Sequence, residues 1–90
     1  MANIEIYTKT WCGYSTAAKS LLDAKGVPYT EIDITSDAET EQLMIDWSGR
    51  HTVPQVLVDG RWIGGYDDLA ALDATGELDR MLDSGSRVAA

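Results

Sequence analysis

The chain lacks a second cysteine. Cys12 stands alone among 90 residues, so an intrachain disulfide is impossible and a metal site built from several cysteines of one chain is excluded. Histidine is equally scarce. His51 is the only one, and a zinc or iron site made of protein groups alone would need unusual ligands. Positive charge is thin as well: 7 Lys plus Arg face 15 Asp plus Glu, for a formal net charge of −8. No basic cluster is available to neutralise phosphates, which excludes a nucleic-acid groove. The same charge disfavours adsorption to anionic membranes. No stretch approaches the ~18 consecutive apolar residues of a membrane-spanning helix. The start, Met1-Ala2-Asn3-Ile4-Glu5, has no basic residue, and Glu5 breaks its first apolar run, unlike a secretory signal. These absences predict a reducing, cytoplasmic setting.

What is present suits one small folded domain. The length leaves little room for two, and a hydrophobic fraction of 44% is ordinary for a globular core. Ile4-Glu5-Ile6-Tyr7-Thr8 reads as a strand that ends in a loop at Lys9-Thr10-Trp11-Cys12-Gly13. Ala18, Leu21, Leu22 and Lys25 recur at helix spacing from about Ser15 to Lys25, and Gly26 with Pro28 stops the helix. Tyr29 to Ile34 reads as a second strand, giving a βαβ unit whose crossover is long enough for parallel pairing.

Ser36-Asp37-Ala38-Glu39 fits a capping box for the next helix. Leu43, Met44 and Trp47 form a stripe that reads as core, and Ser48-Gly49 marks the helix end. Val53 to Val58, the turn Asp59-Gly60 and the return Arg61-Trp62-Ile63-Gly64 make a tight hairpin, with Pro54 at the entrance of its strand. Leu69 and Leu72 suit a third helix, Thr75-Gly76 interrupts it, and Leu78, Met81 and Leu82 suit a fourth. The order β-α-β-α-β-β-α-α predicts an α/β fold with a four-stranded mixed sheet and helices on both faces. Residues 1–84 make the domain, and 85–90 read as a flexible C-terminal tail.

Cys12 is the leading chemical candidate. At a strand-to-helix junction, free N–H groups and the helix dipole stabilise a thiolate, and a curled loop brings Lys9 close. Ser15, three residues on, either caps the helix or donates to sulfur. Tyr14 is a ligand wall or a packed aromatic. Lys9 and Arg50 are ligand contacts or solvent charges. Asp67 caps a helix, meets a ligand, or does both.

Three segments carry a resemblance. Lys9-Thr10-Trp11-Cys12-Gly13-Tyr14-Ser15, Thr52-Val53-Pro54-Gln55 and Gly64-Gly65-Tyr66-Asp67-Asp68 together resemble the active site of glutaredoxins. The resemblance covers about residues 3–83 and implies a thioredoxin-like fold with a glutathione site. It implies that Cys12 is the nucleophile and that Lys9, Tyr14, Arg50, Thr52, Val53, Pro54, Gly65, Tyr66, Asp67 and Asp68 surround glutathione. Lys9, with Arg50, is expected to meet the glycyl carboxylate. The Val53 backbone pairs with the tripeptide, Pro54 is cis, and the turn at Gly65, Tyr66 and Asp67, helped by Asp68, receives the γ-glutamyl end.

The chain departs from the family pattern at Ser15, where many members have a second cysteine, and at Tyr66, sometimes a cysteine. Cys-Gly-Tyr-Ser is similar to the Cys-Gly-Phe-Ser of monothiol members. Only Thr10 and Trp11 separate Lys9 from Cys12, however, and this short loop resembles the dithiol group. Ser15 is then a natural variation or a replacement of the second cysteine. The implied activity is glutathione-dependent reduction of mixed disulfides, on glutathionylated proteins or small molecules, by a monomer without metal. The alternatives are a carrier of a 2Fe–2S cluster, ligated by Cys12 and glutathione across a dimer, and a non-enzymatic glutathione-binding module.

Overall fold

In the computed structural model, which describes residues 3–87, a single mixed sheet is covered by helices on both faces. The elements follow the expected order: β1 (Ile4–Thr8), α1 (Gly13–Ala24), β2 (Thr30–Asp33), α2 (Ala38–Ser48), β3 (Gln55–Val58), β4 (Arg61–Gly64), α3 (Tyr66–Ala74) and α4 (Glu77–Arg87). Strand order across the sheet is β2-β1-β3-β4. β1 pairs parallel with β2, Ile6 opposite Glu31, and antiparallel with β3, Ile6 opposite Val56. This is the thioredoxin-like arrangement.

Side-chain alternation along β1 divides the core in two. Ile4 and Ile6 join Val56 and Val58 on one face, where Ala18 and Leu22 of α1, Leu69 of α3, and Leu78 and Leu82 of α4 close over them. Tyr7 points to the other face and packs with Ile34 and with Met44 of α2. Lys25, just past α1, is half-buried, and its ammonium holds Asp73 of α3 and Asp79 of α4. Asp59 and Gly60 both take positive φ (50° and 80°), the pairing a two-residue hairpin of this hand requires. Among the described residues no helix is long and apolar enough to cross a membrane.

Four local expectations change. α1 begins at Gly13 rather than about Ser15, because Cys12 already adopts the extended N-cap conformation. The cap of α2 is Asp37, not Ser36: its Oδ1 accepts from Thr40 N at 3.1 Å and its Oδ2 from Thr40 Oγ1 at 2.7 Å. A carboxylate directly before the first helical residue is the stronger acceptor at a positive helix end.

The stripe on α2 is also rotated. Leu43 and Trp47 are 48% and 65% exposed, and of the three only Met44 is buried. The inward line runs through Glu41, Met44, Ile45 and Ser48, so polar groups occupy positions that apolar periodicity alone assigns elsewhere. Finally, α4 continues through Gly85 to Arg87, where a flexible tail was expected. One glycine costs a helix only about 1 kcal/mol, which an established helix tolerates. Residues 88–90 of that expected tail lie outside the described residues.

Candidate active site

The loop between β1 and α1 is fixed from two sides. Its own turn closes with Cys12 N–H donating to Lys9 O (3.2 Å). Thr10 then ties it to the far end of β2, its N–H donating to Thr35 Oγ1 (2.8 Å) and its hydroxyl to Asp33 (3.2 Å). Trp11 is left 91% exposed at the tip. Cys12 follows, half-buried, as the residue that opens α1.

The electrostatics of Cys12 are set by that placement. Burial by itself would raise the thiol pKa. The Ser15 hydroxyl, the Ser15 and Tyr14 N–H groups and the positive charge of Lys9 outweigh it and bring the pKa below the ordinary thiol value. Ser15 is 1% exposed, and its Oγ is buried without a hydrogen-bond partner. It is therefore a buried dipole held ready for a thiolate. The thiol itself donates to Val53 O at 3.4 Å. Because the thiolate fraction grows as pH rises through a lowered pKa, alkylation of Cys12 is expected to start at lower pH than for an unperturbed thiol near pKa 8.5. Ser15→Ala should move that midpoint upward, and a pH profile of iodoacetamide labelling checks both.

A cleft of about 320 Å³ opens at Val53, whose carbonyl accepts the Cys12 thiol, although Cys12 itself does not line it; the volume is at the small end of the range for ligand sites. One side is the loop before β3, with Arg50, Thr52 and Val53; the other is the start of α3, with Gly65, Tyr66, Asp67 and Asp68. Tyr14 lines it from α1, and its ring faces that of Tyr66 at 6.2 Å with a 35° tilt. The first N–H groups of α3 have no partners within the helix, so this wall offers donors to an anion. Pro54 does not line the cleft. It is buried beneath, its bond to Val53 is cis, and its carbonyl oxygen would lie 3.3 Å from a Cβ on Gly65.

Arg50 and Asp68 join across the cleft, Nη1 to Oδ2 at 2.8 Å, and the same oxygen accepts Gly65 N–H at 3.0 Å. Arg50, followed by the Gly65 amide, holds the Asp68 carboxyl below the usual carboxylate range. Lys9 is placed differently from the expectation. It does not line the cleft, and its ammonium is bound to Glu41 of α2 at 2.7 Å. His51 is exposed in the adjoining loop.

The motifs announce no role for two residues of this region, Glu41 and Gln55. Glu41 has no spacing relation to the motifs. Gln55 is fully buried, its Nε2 donating to Thr52 O (3.0 Å) and Oγ1 (3.3 Å), and thus braces the Thr52–Pro54 loop from behind. Its position immediately after Pro54, at the start of a strand, was the available signal.

The pattern of the glutaredoxin family matches residues 4–63. The chain is a glutaredoxin. Glutaredoxin 3 of Escherichia coli (strain K12) is 54% identical over 82 residues, which span 91% of this chain and 99% of that protein. Among solved structures, a buckwheat glutaredoxin–glutathione complex superposes with a TM-score of 0.86 at 30% identity, covering 92% of this chain and 78% of that one. The holo form of glutaredoxin C1 from Populus tremula x tremuloides superposes at 0.88 with 32% identity, covering 94% and 79%. As a glutaredoxin this chain carries one active-site cysteine, with serine at the position of the second. Among its described residues no three His, Cys, Asp or Glu side chains gather into a metal-binding group.

Proposed function

We propose that this glutaredoxin reduces glutathione mixed disulfides of proteins and small molecules through a monothiol cycle. One observation carries the reading: the Cys12 sulfur lies at the N-terminus of α1 and touches, through Val53 O at 3.4 Å, the loop that walls the cleft. The solved buckwheat relative in complex with glutathione supports the occupant.

The cleft suits a tripeptide with a carboxylate at each end. The γ-glutamyl end sits at Gly65, Tyr66 and Asp67, where free helix N–H groups meet its carboxylate and Asp68 its ammonium. Thr52 and Val53 present backbone to the middle of the peptide, between the rings of Tyr14 and Tyr66. Arg50 and Lys9 serve the glycyl carboxylate.

The Cys12 thiolate attacks the glutathione sulfur of the substrate disulfide. The substrate leaves as a thiolate, takes up a proton, and Cys12 carries glutathione as a mixed disulfide. A second glutathione thiolate attacks the bound glutathione sulfur, releasing oxidised glutathione and regenerating the Cys12 thiolate. In sum, a glutathione mixed disulfide and one free glutathione thiol become the substrate thiol and oxidised glutathione, so each turn spends one free glutathione. Ser15 cannot intercept the intermediate, because a hydroxyl does not attack a disulfide at neutral pH. The cycle spends reduced glutathione, which places it in a reducing compartment such as the cytoplasm. It needs one copy of the chain and no metal.

Intact mass after treatment with oxidised glutathione tests the reading. The protein should gain one glutathione, held until free thiol is added. Ser15→Cys should lose the adduct to an intramolecular disulfide, because the resolving thiol then lies within one helical turn of Cys12. An unmodified mass for the parent chain under native conditions would overturn the proposal.

A further inference from the structure

We infer that Glu41 sets the affinity for the glycyl carboxylate of the substrate by competing with it for the Lys9 ammonium. This rests on the function proposed above. Lys9 Nζ lies 2.7 Å from Glu41 Oε2, with side chains 38% and 28% exposed, so the pair is neither fully solvated nor sealed. Its two members differ in freedom. Glu41 sits on the inward line of α2 with Met44 and Ser48, and its backbone N–H is bound to Asp37 O at 3.0 Å. Lys9 belongs to the active-site loop, with a four-carbon stem and its carbonyl engaged by Cys12 N–H. An incoming carboxylate beside Cys12 therefore draws Lys9 away from a carboxylate that stays where it is.

Arg50 presents the same logic on the other wall, held by Asp68, but Asp68 also accepts the Gly65 amide and so belongs to the frame of the cleft. Glu41 has no such second duty: its carboxylate meets the ammonium of Lys9 and lies outside the cleft lining. Its effect is to make one of two cations conditionally available. Partly exposed ion pairs of this kind change equilibria by about twofold to fivefold, which is the expected span of the effect on substrate affinity. Glutamine at this position keeps an oxygen for Lys9 to donate to and removes the competing charge.

The test compares two substrates for the parent chain, Glu41→Gln and Glu41→Ala. One is a peptide carrying glutathione; the other carries glutathione whose glycine is amidated. Both variants should lower KM for the carboxylate substrate about twofold to fivefold with kcat unchanged, and leave KM for the amide unaltered. Raised salt should shrink the difference. Equal effects on both substrates, or a KM for the carboxylate that stays level or rises in both variants, would overturn the inference. A parent chain that turns over neither substrate removes the functional reading and this inference with it. An active parent chain with an unshifted ratio of the two KM values removes the inference alone.

Discussion

Cys12→Ser should reduce the release of thiol from a glutathionylated peptide to the uncatalysed background, a loss on the order of a thousandfold or more, as when a covalent nucleophile is removed. No other sulfur nucleophile exists in the chain to take over, since Cys12 is the only cysteine. Neither the buried Ser15 hydroxyl nor a serine hydroxyl at position 12 ionises near neutral pH. The substitution should leave the fold intact. Cys12 is half-buried, and its thiol makes one long contact, to Val53 O at 3.4 Å, so stability should change by less than ~1 kcal/mol. The variant should still bind glutathione in the cleft, which calorimetry or chemical-shift titration measures separately from turnover. Turnover equal to that of the parent chain would end the assignment of residue 12 as nucleophile.

The second large effect is expected at Gly64, the last residue of β4. Its φ is +120°, a conformation that L side chains rarely adopt, and a Cβ there would sit 2.3 Å from Asp68 Oδ2 and 2.7 Å from Asp68 Cγ. Gly64→Ala thus meets a backbone penalty of about 1–3 kcal/mol and must displace the carboxylate that holds both Arg50 and the Gly65 amide. Global stability should fall by at least that backbone penalty, seen as a drop in urea midpoint. Affinity for glutathione should fall further than stability alone explains, because one wall of the cleft has moved. Gly64→Ala combined with Asp68→Ala separates the two causes. If collision matters, the double variant is less destabilised than the sum of the singles. An alanine variant with unchanged midpoint and affinity would show that this close approach does nothing for the cleft.

How much of this was legible in the sequence depends on the range of the interaction concerned. β1, the Asp59-Gly60 hairpin and the stop at Gly49 are set by neighbours in the chain, and all lie where patterning puts them. α2 shows the limit. Its apolar residues repeat at helix spacing, but the face that meets the sheet is decided by Glu41 reaching Lys9 and Met44 entering the core. Leu43 and Trp47 are consequently turned outward. Likewise Ser36 and Asp37 are both good caps in isolation, and the choice between them depends on which residue the helix leaves at its entrance.

The fold brings residues of the three motifs to one cleft, at Tyr14, Thr52, Val53 and Tyr66, while Cys12, Lys9 and Pro54 stay out of its lining. What was hidden is the pairing of its cations. Lys9 and Glu41 are 32 positions apart, and Arg50 and Asp68 are 18 apart, so nothing local announces either contact. The same is true of Gln55, whose burial beneath the Thr52 loop follows only from how β3 packs.

The strand order places β2 and β4 at the two margins of the sheet, each only four residues long. Glu31 and Asp33 punctuate one margin and Arg61 opens the other, so a foreign strand finds little unpaired backbone and meets charge where it would dock. A protein whose half-buried sulfur trades covalent partners can thus crowd its own copies together without its sheets joining into fibres.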